Sequence, residues 1–126
     1  VVGMLYEVGS LHPYEYTYFN RVSRWVIDVE KNFEVDYWGA SYQQATQEVI
    51  NYLEKNKIEN ASVYACNVDY AVLYYAKGKF TLTNKSKNSD IIICDTVEDN
   101  YRNNNQTILT EIKRNNITLN RIRLNK

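Results

Sequence analysis

The chain has 126 residues, 44 % of them hydrophobic and 24 % charged, which suits one globular domain able to bury a real core. Fifteen basic residues balance fifteen acidic ones, so the basic face of a nucleic-acid binder is excluded as a dominant feature. With one histidine and two cysteines, no metal-site spacing is present, and no stretch reaches the roughly 18–20 apolar residues of a membrane span.

In chain order, Val1 to Leu5 is apolar but short, and the stub of a membrane span lying upstream is one reading of it. No signal peptide is visible. Residues 1–40 are otherwise irregular by pattern. Val22, Trp25, Val26 and Val29 recur at helical spacing, so a short helix near 20–31 is expected, followed by an extended piece through Val35, Tyr37 and Gly39. Ser41 opens the clearest helix. Ser41 with Gln44 matches a capping box, and Tyr42, Ala45, Val49, Tyr52 and Leu53 line one face to about Asn56.

Ser62 to Cys66 reads as a strand. Asn67 is placed to cap a second helix, with Asp69 in its first turn and Gly78 as its stop. Phe80 to Leu82 is a short strand, and Asn84 to Ser89 a polar loop. Ile91 to Cys94 is continuously apolar, as a central strand covered on both faces would be. Asp95 and Glu98 repeat the capping pattern and open a helix to about Arg102. Thr107 to Arg114 and Ile117 to Leu124 form a hairpin about Asn115-Asn116. If Arg114 pairs with Ile117, the pairs Ile112/Leu119 and Leu109/Ile122 fall on opposite faces. Either both faces are partly buried or a bulge shifts the register.

This order predicts an α/β domain: a layered mixed sheet with Rossmann-like connections and a C-terminal β-hairpin. No Gly-rich phosphate loop follows the first strand, because Cys66-Asn67-Val68-Asp69 has no glycine. Cys66 and Cys94 are expected on adjacent parallel strands as buried free thiols rather than as a disulfide. Lys85, Lys87, Arg114, Arg121 and Arg123 are expected to be solvated turn and edge-strand charges. Four glycosylation sequons begin at Asn60, Asn84, Asn105 and Asn116, and in so Asn-rich a chain they are expected by chance.

Two aromatic clusters precede the α/β part. His12-Pro13-Tyr14 and Tyr18-Phe19-Asn20, then Asp36-Tyr37-Trp38-Gly39 and the helix opening at Ser41, resemble the C-terminal region of bacterial membrane glycosyltransferases. These belong to the protein-mannosyltransferase-like group (GT-C), related to the aminoarabinose transferases. The segment from Ile108 to Leu124 is similar to the group's terminal hairpin. One departure is Arg21-Val22-Ser23-Arg24-Trp25, where the family often carries glycines.

The resemblance implies a non-catalytic extracytoplasmic domain of an enzyme that takes sugar from a polyprenyl-phosphate carrier. The family's catalytic carboxylates lie in an early loop outside this chain. No catalytic residue, cofactor or metal is therefore carried over. The expected partner is the transmembrane portion of the same polypeptide, with the membrane surface a further one and nucleic acid none. On this reading residues 1–40 are a membrane-proximal aromatic segment packed on the body, and residues 41–126 the α/β domain.

His12, Tyr14, Tyr18, Asn20, Asp36, Tyr37 and Trp38 are the candidate docking or acceptor-contact face. For His12 the alternatives are contact with a phosphate or sugar, or a structural hydrogen bond beside Pro13. Tyr14, Tyr16, Tyr18 and Trp38 either form an interfacial belt or pack on the body. Glu34 and Asp36 share one side of an extended segment, as solvated acids or as a carboxylate pair. A free-standing Rossmann-like binding module is the alternative for the whole chain.

Overall fold

The computed structural model describes residues 2–9, 40–102, 106–114 and 116–125. The elements are α1 (Val2–Gly9), α2 (Ser41–Lys55), β1 (Ser62–Ala65), α3 (Asp69–Ala76), β2 (Thr81–Leu82), β3 (Ile91–Asp95), α4 (Thr96–Arg102), β4 (Thr107–Arg114) and β5 (Ile117–Leu124). A single 3₁₀ turn, Ser86–Asn88, lies in the polar loop before β3. The expected helix near 20–31 and the extended piece after it lie outside the described residues. Residues 2–9 are helical where no pattern was legible, because eight residues with Glu7 and two glycines among them are too few to show a helical period.

The five strands form one mixed sheet in the order β2-β1-β3-β5-β4. β1 pairs in parallel with β2 and β3, while β5 runs antiparallel to both β3 and β4. This is the expected α/β layering, with the terminal hairpin added at one side. β3 is the central strand and all five of its residues are buried. Ile91 and Ile93 face α2 and α3 in the main core, with Val63, Ala65, Val49, Leu53, Val72 and Ile122. Ile92 and Cys94 face the other way and are equally buried, at 1 % and 0 % exposure.

The hairpin resolves the register question with bulges. Arg114 pairs with Ile117 as expected, but Ile112 then lies opposite Asn120 and Thr110 opposite Ile122. Each strand absorbs one extra residue, so Ile112 and Ile122 reach the same face and both enter the α2-side core. Burial of two isoleucines on one face overrides the simple two-residue alternation.

Two local expectations are corrected. Ser41 does not cap α2: Ala40 is the cap residue, and Gln44 Oε1 instead accepts a hydrogen bond from Arg114 Nη2 at 2.7 Å. Asn67 does not cap α3, whose cap residue is Val68; its amide nitrogen donates instead to Asp95 Oδ2. Lys77, at φ 48°, and Gly78, at φ 77°, together turn the chain out of α3.

Candidate functional site

The carboxyl ends of β1 and β3 are where this sheet changes direction. The chain leaving β1 enters α3 on the α2 side. The chain leaving β3 enters α4, which packs on β3 and β5 from the opposite side. Such a topological switch point is the usual ligand crevice of an open α/β sheet. Here two links tie the strand ends together.

The first link is a disulfide between Cys66 and Cys94. Adjacency on parallel strands is as expected, but the expected free thiols are corrected. The register Val63↔Ile91, Tyr64↔Ile92, Ala65↔Ile93 carries Cys66 directly beside Cys94 on one face. Their Cα atoms are 5.0 Å apart, within bonding range.

The second link is Asp95, the last residue of β3. Its Oδ1 accepts from the backbone N–H of Glu98, which caps α4 as the sequence pattern predicts. Its Oδ2 accepts from Asn67 Nδ2 at 2.7 Å and from the Tyr42 hydroxyl at 3.3 Å. The Tyr42 oxygen accepts in turn from the Asp95 N–H at 3.1 Å. One carboxylate thus joins α2, the β1–α3 turn and α4. Tyr42→Phe should lower stability by about 1–3 kcal/mol, because it strands the buried Asp95 N–H. A urea titration checks this, and an unchanged midpoint would remove the hydroxyl from the account.

Asn120 lies across from Asp95 in the sheet and is fully buried. Neither atom of its side-chain amide is hydrogen-bonded. Polarity at this edge therefore exceeds what the fold itself consumes. The chemistry offered is nonetheless positional. Asp95 has both oxygens engaged, and among the described residues no group of three His, Cys, Asp or Glu is placed to hold a metal ion.

Comparison of the chain with family models, curated proteins and solved structures finds no match.

On the far face of the sheet stands a charged cluster that pattern reading missed. Arg123 forms a two-pronged pair with Asp99, Nε to Oδ1 at 2.6 Å and Nη2 to Oδ2 at 2.7 Å. Arg121 reaches Asp99 at 3.1 Å and Glu111 at 2.9 Å, and Lys113 reaches Glu111 at 2.7 Å. Arg121 and Arg123 are therefore corrected from solvated edge charges to an inner strand. Arg123 and Asp99 are both buried. Lys85 and Lys87 are exposed as expected. The legible signal was the two-residue spacing of Arg121 and Arg123, which puts both on one face.

Burial alone would raise the Asp99 carboxyl. The hydrogen bonds and charges of Arg123 and Arg121 overcome it and hold Asp99 below its ordinary value. For Glu111 the hydrogen bond from Lys113 is the main cause of a lowered pKa; burial opposes it and Arg121 adds to it.

Two clefts open at the other end of the sheet. One, of about 620 Å³, lies between the end of α2 and Gly78-Lys79. The other, of about 220 Å³, is mostly apolar, with Leu53, Ile58, Ile91 and Leu124 among its walls. Its one carboxylate, Asp90, accepts from the Ser62 N–H and hydroxyl at 3.0 and 2.8 Å. In the larger cleft Glu54 and Lys79 are joined in an exposed ion pair at 3.1 Å, and the lining of the smaller holds no basic residue. The expected face of His12, Tyr14, Tyr18, Asn20, Asp36, Tyr37 and Trp38 lies outside the described residues, as do Glu34 and Tyr16.

Proposed function

We propose that this chain is a non-catalytic extracytoplasmic domain of an integral-membrane glycosyltransferase that uses a polyprenyl-phosphate-linked sugar. It docks on the membrane-embedded catalytic part of the same polypeptide. The observation that carries the extracytoplasmic placement is the Cys66–Cys94 disulfide, since such bonds persist in oxidising compartments and are rare in the cytosol.

Three further points support the reading. The aromatic clusters come in the family's order ahead of the α/β body. The chain closes on a hairpin, as the resembling group does. α1 is apolar and leaves Leu5 and Tyr6 at 68 % and 78 % exposure, a surface suited to an apolar neighbour. The tied strand ends and the engaged Asp95 supply rigidity rather than reaction chemistry, which suits a docking domain.

The isolated chain should show no glycosyl transfer from a polyprenyl-phosphate sugar to any acceptor. Turnover above a heat-killed control would refute the non-catalytic assignment. The gene upstream of Val1 tests the parent: several hydrophobic spans are expected, and their absence would sink the membrane-enzyme reading.

A further inference from the structure

We propose that the outer face of α3 is a membrane-contact surface, seated at the headgroup level of a bilayer containing anionic lipid. This rests on the reading of the chain as a membrane-proximal domain. Val72 and Ala76 turn inward and are buried. Tyr70, Leu73 and Tyr74, at i, i+3 and i+4, form one outward stripe at 72 %, 61 % and 75 % exposure. A helix packed on a sheet ordinarily turns polar residues outward, and α3 turns two tyrosines and a leucine.

The size and chemistry of the stripe select the occupant. The three side chains offer roughly 400 Å². That is about half of the ~800 Å² per partner that a stable protein interface uses. A second copy or a folded partner would be held poorly by it. A bilayer imposes no such minimum, because each side chain partitions by its own buried area. Tyrosine suits the boundary, with its ring among acyl chains and its hydroxyl among headgroups. Tyr75 meets Tyr74 edge to face, with centroids 5.1 Å apart, and braces one exposed ring.

The charges agree. At the end of α3 and the adjoining end of α2, Lys55, Lys57, Lys77 and Lys79 stand against Glu54 and Glu59, with Lys79 paired to Glu54 at 3.1 Å. Asp69 is exposed at the start of α3, so the basic surplus lies at the other end of the helix, where Lys77 follows it and its long stem can reach a lipid phosphate.

The test tethers the 126-residue chain through an N-terminal histidine tag to phosphatidylcholine vesicles containing phosphatidylglycerol and a nickel-chelating lipid. A nitrobenzoxadiazole label is placed on Leu73→Cys or, at the far edge strand, on Thr107→Cys, without reductant. Emission at position 73 should rise about twofold or more and shift to the blue, with no change at position 107. The rise should shrink when phosphatidylglycerol is omitted. Equal responses at the two positions would overturn the proposal. So would blue-shifted emission at position 73 before vesicles are added, which would mean that protein already covers the stripe. The tether supplies proximity by itself. A failed contact therefore counts against this face, while the parent-enzyme reading answers to the upstream gene.

Discussion

Replacing Asp99 with alanine should cost about 3–5 kcal/mol, read from the urea midpoint at neutral pH. The side chain is 2 % exposed and holds the guanidinium groups of Arg123 and Arg121. Its removal leaves the buried Arg123 charge without its carboxylate, and desolvation of that charge is then uncompensated. The large loss measures the penalty of breaking the pair. Replacing both Asp99 and Arg123 by apolar residues of similar volume should recover a substantial part of it.

The same group sets an acid limit. The folded pKa of Asp99 lies below its unfolded value, so its contribution is complete above the ordinary carboxylate range, near pH 4, and is lost as pH falls through the lowered value. Glu111, also lowered, acts in the same direction. Asp99→Asn should therefore flatten the fall in stability below about pH 4. A variant with the wild-type acid profile, or an Asp99→Ala loss below about 0.5 kcal/mol, would show that the cluster is solvated after all.

The second large effect belongs to the disulfide. Cys66 and Cys94 are separated by 28 positions, and closing a loop of that length restricts the unfolded chain by about 3–4 kcal/mol in the chain-entropy estimate. The paired replacement Cys66→Ser with Cys94→Ser should lose that much. The wild-type chain in reductant should lose a similar amount. Alkylation of the unfolded wild-type chain without reductant should add no label to either cysteine, as intact mass reports. Two labels would mean free thiols and would withdraw the main support for an oxidising compartment.

Much of the fold was legible because its signals are local. The face of α2 from Tyr42 to Leu53 follows the helical period, and the bounds of β4 and β5 follow from two β-rich runs around two asparagines. Ile91 to Cys94 announces a strand covered on both faces by being apolar throughout. The Asp95–Glu98 cap was legible for the same reason, since a capping residue and its target lie three positions apart. The matching pattern at Ser41 failed because Gln44 had a distant competitor, Arg114, 70 positions away.

By itself the sequence determined the α/β class, the central place of β3, the antiparallel closing hairpin and the resemblance from which the proposed function starts. Only the tertiary structure decided the rest. Strand register set Cys66 beside Cys94 and made a bond of two expected thiols. Packing of α4 on the far face brought Asp99 to Arg121 and Arg123, turning apparent surface charges into a buried cluster. The bulges carried Ile112 and Ile122 to one face. The exposed stripe of α3 was invisible for a related reason. A helix apolar all round shows no preferred face until the sheet buries one side and leaves Tyr70, Leu73 and Tyr74 on the other. Periodicity reports what neighbours along the chain share, while pairing, charge compensation and exposure depend on residues far apart in sequence.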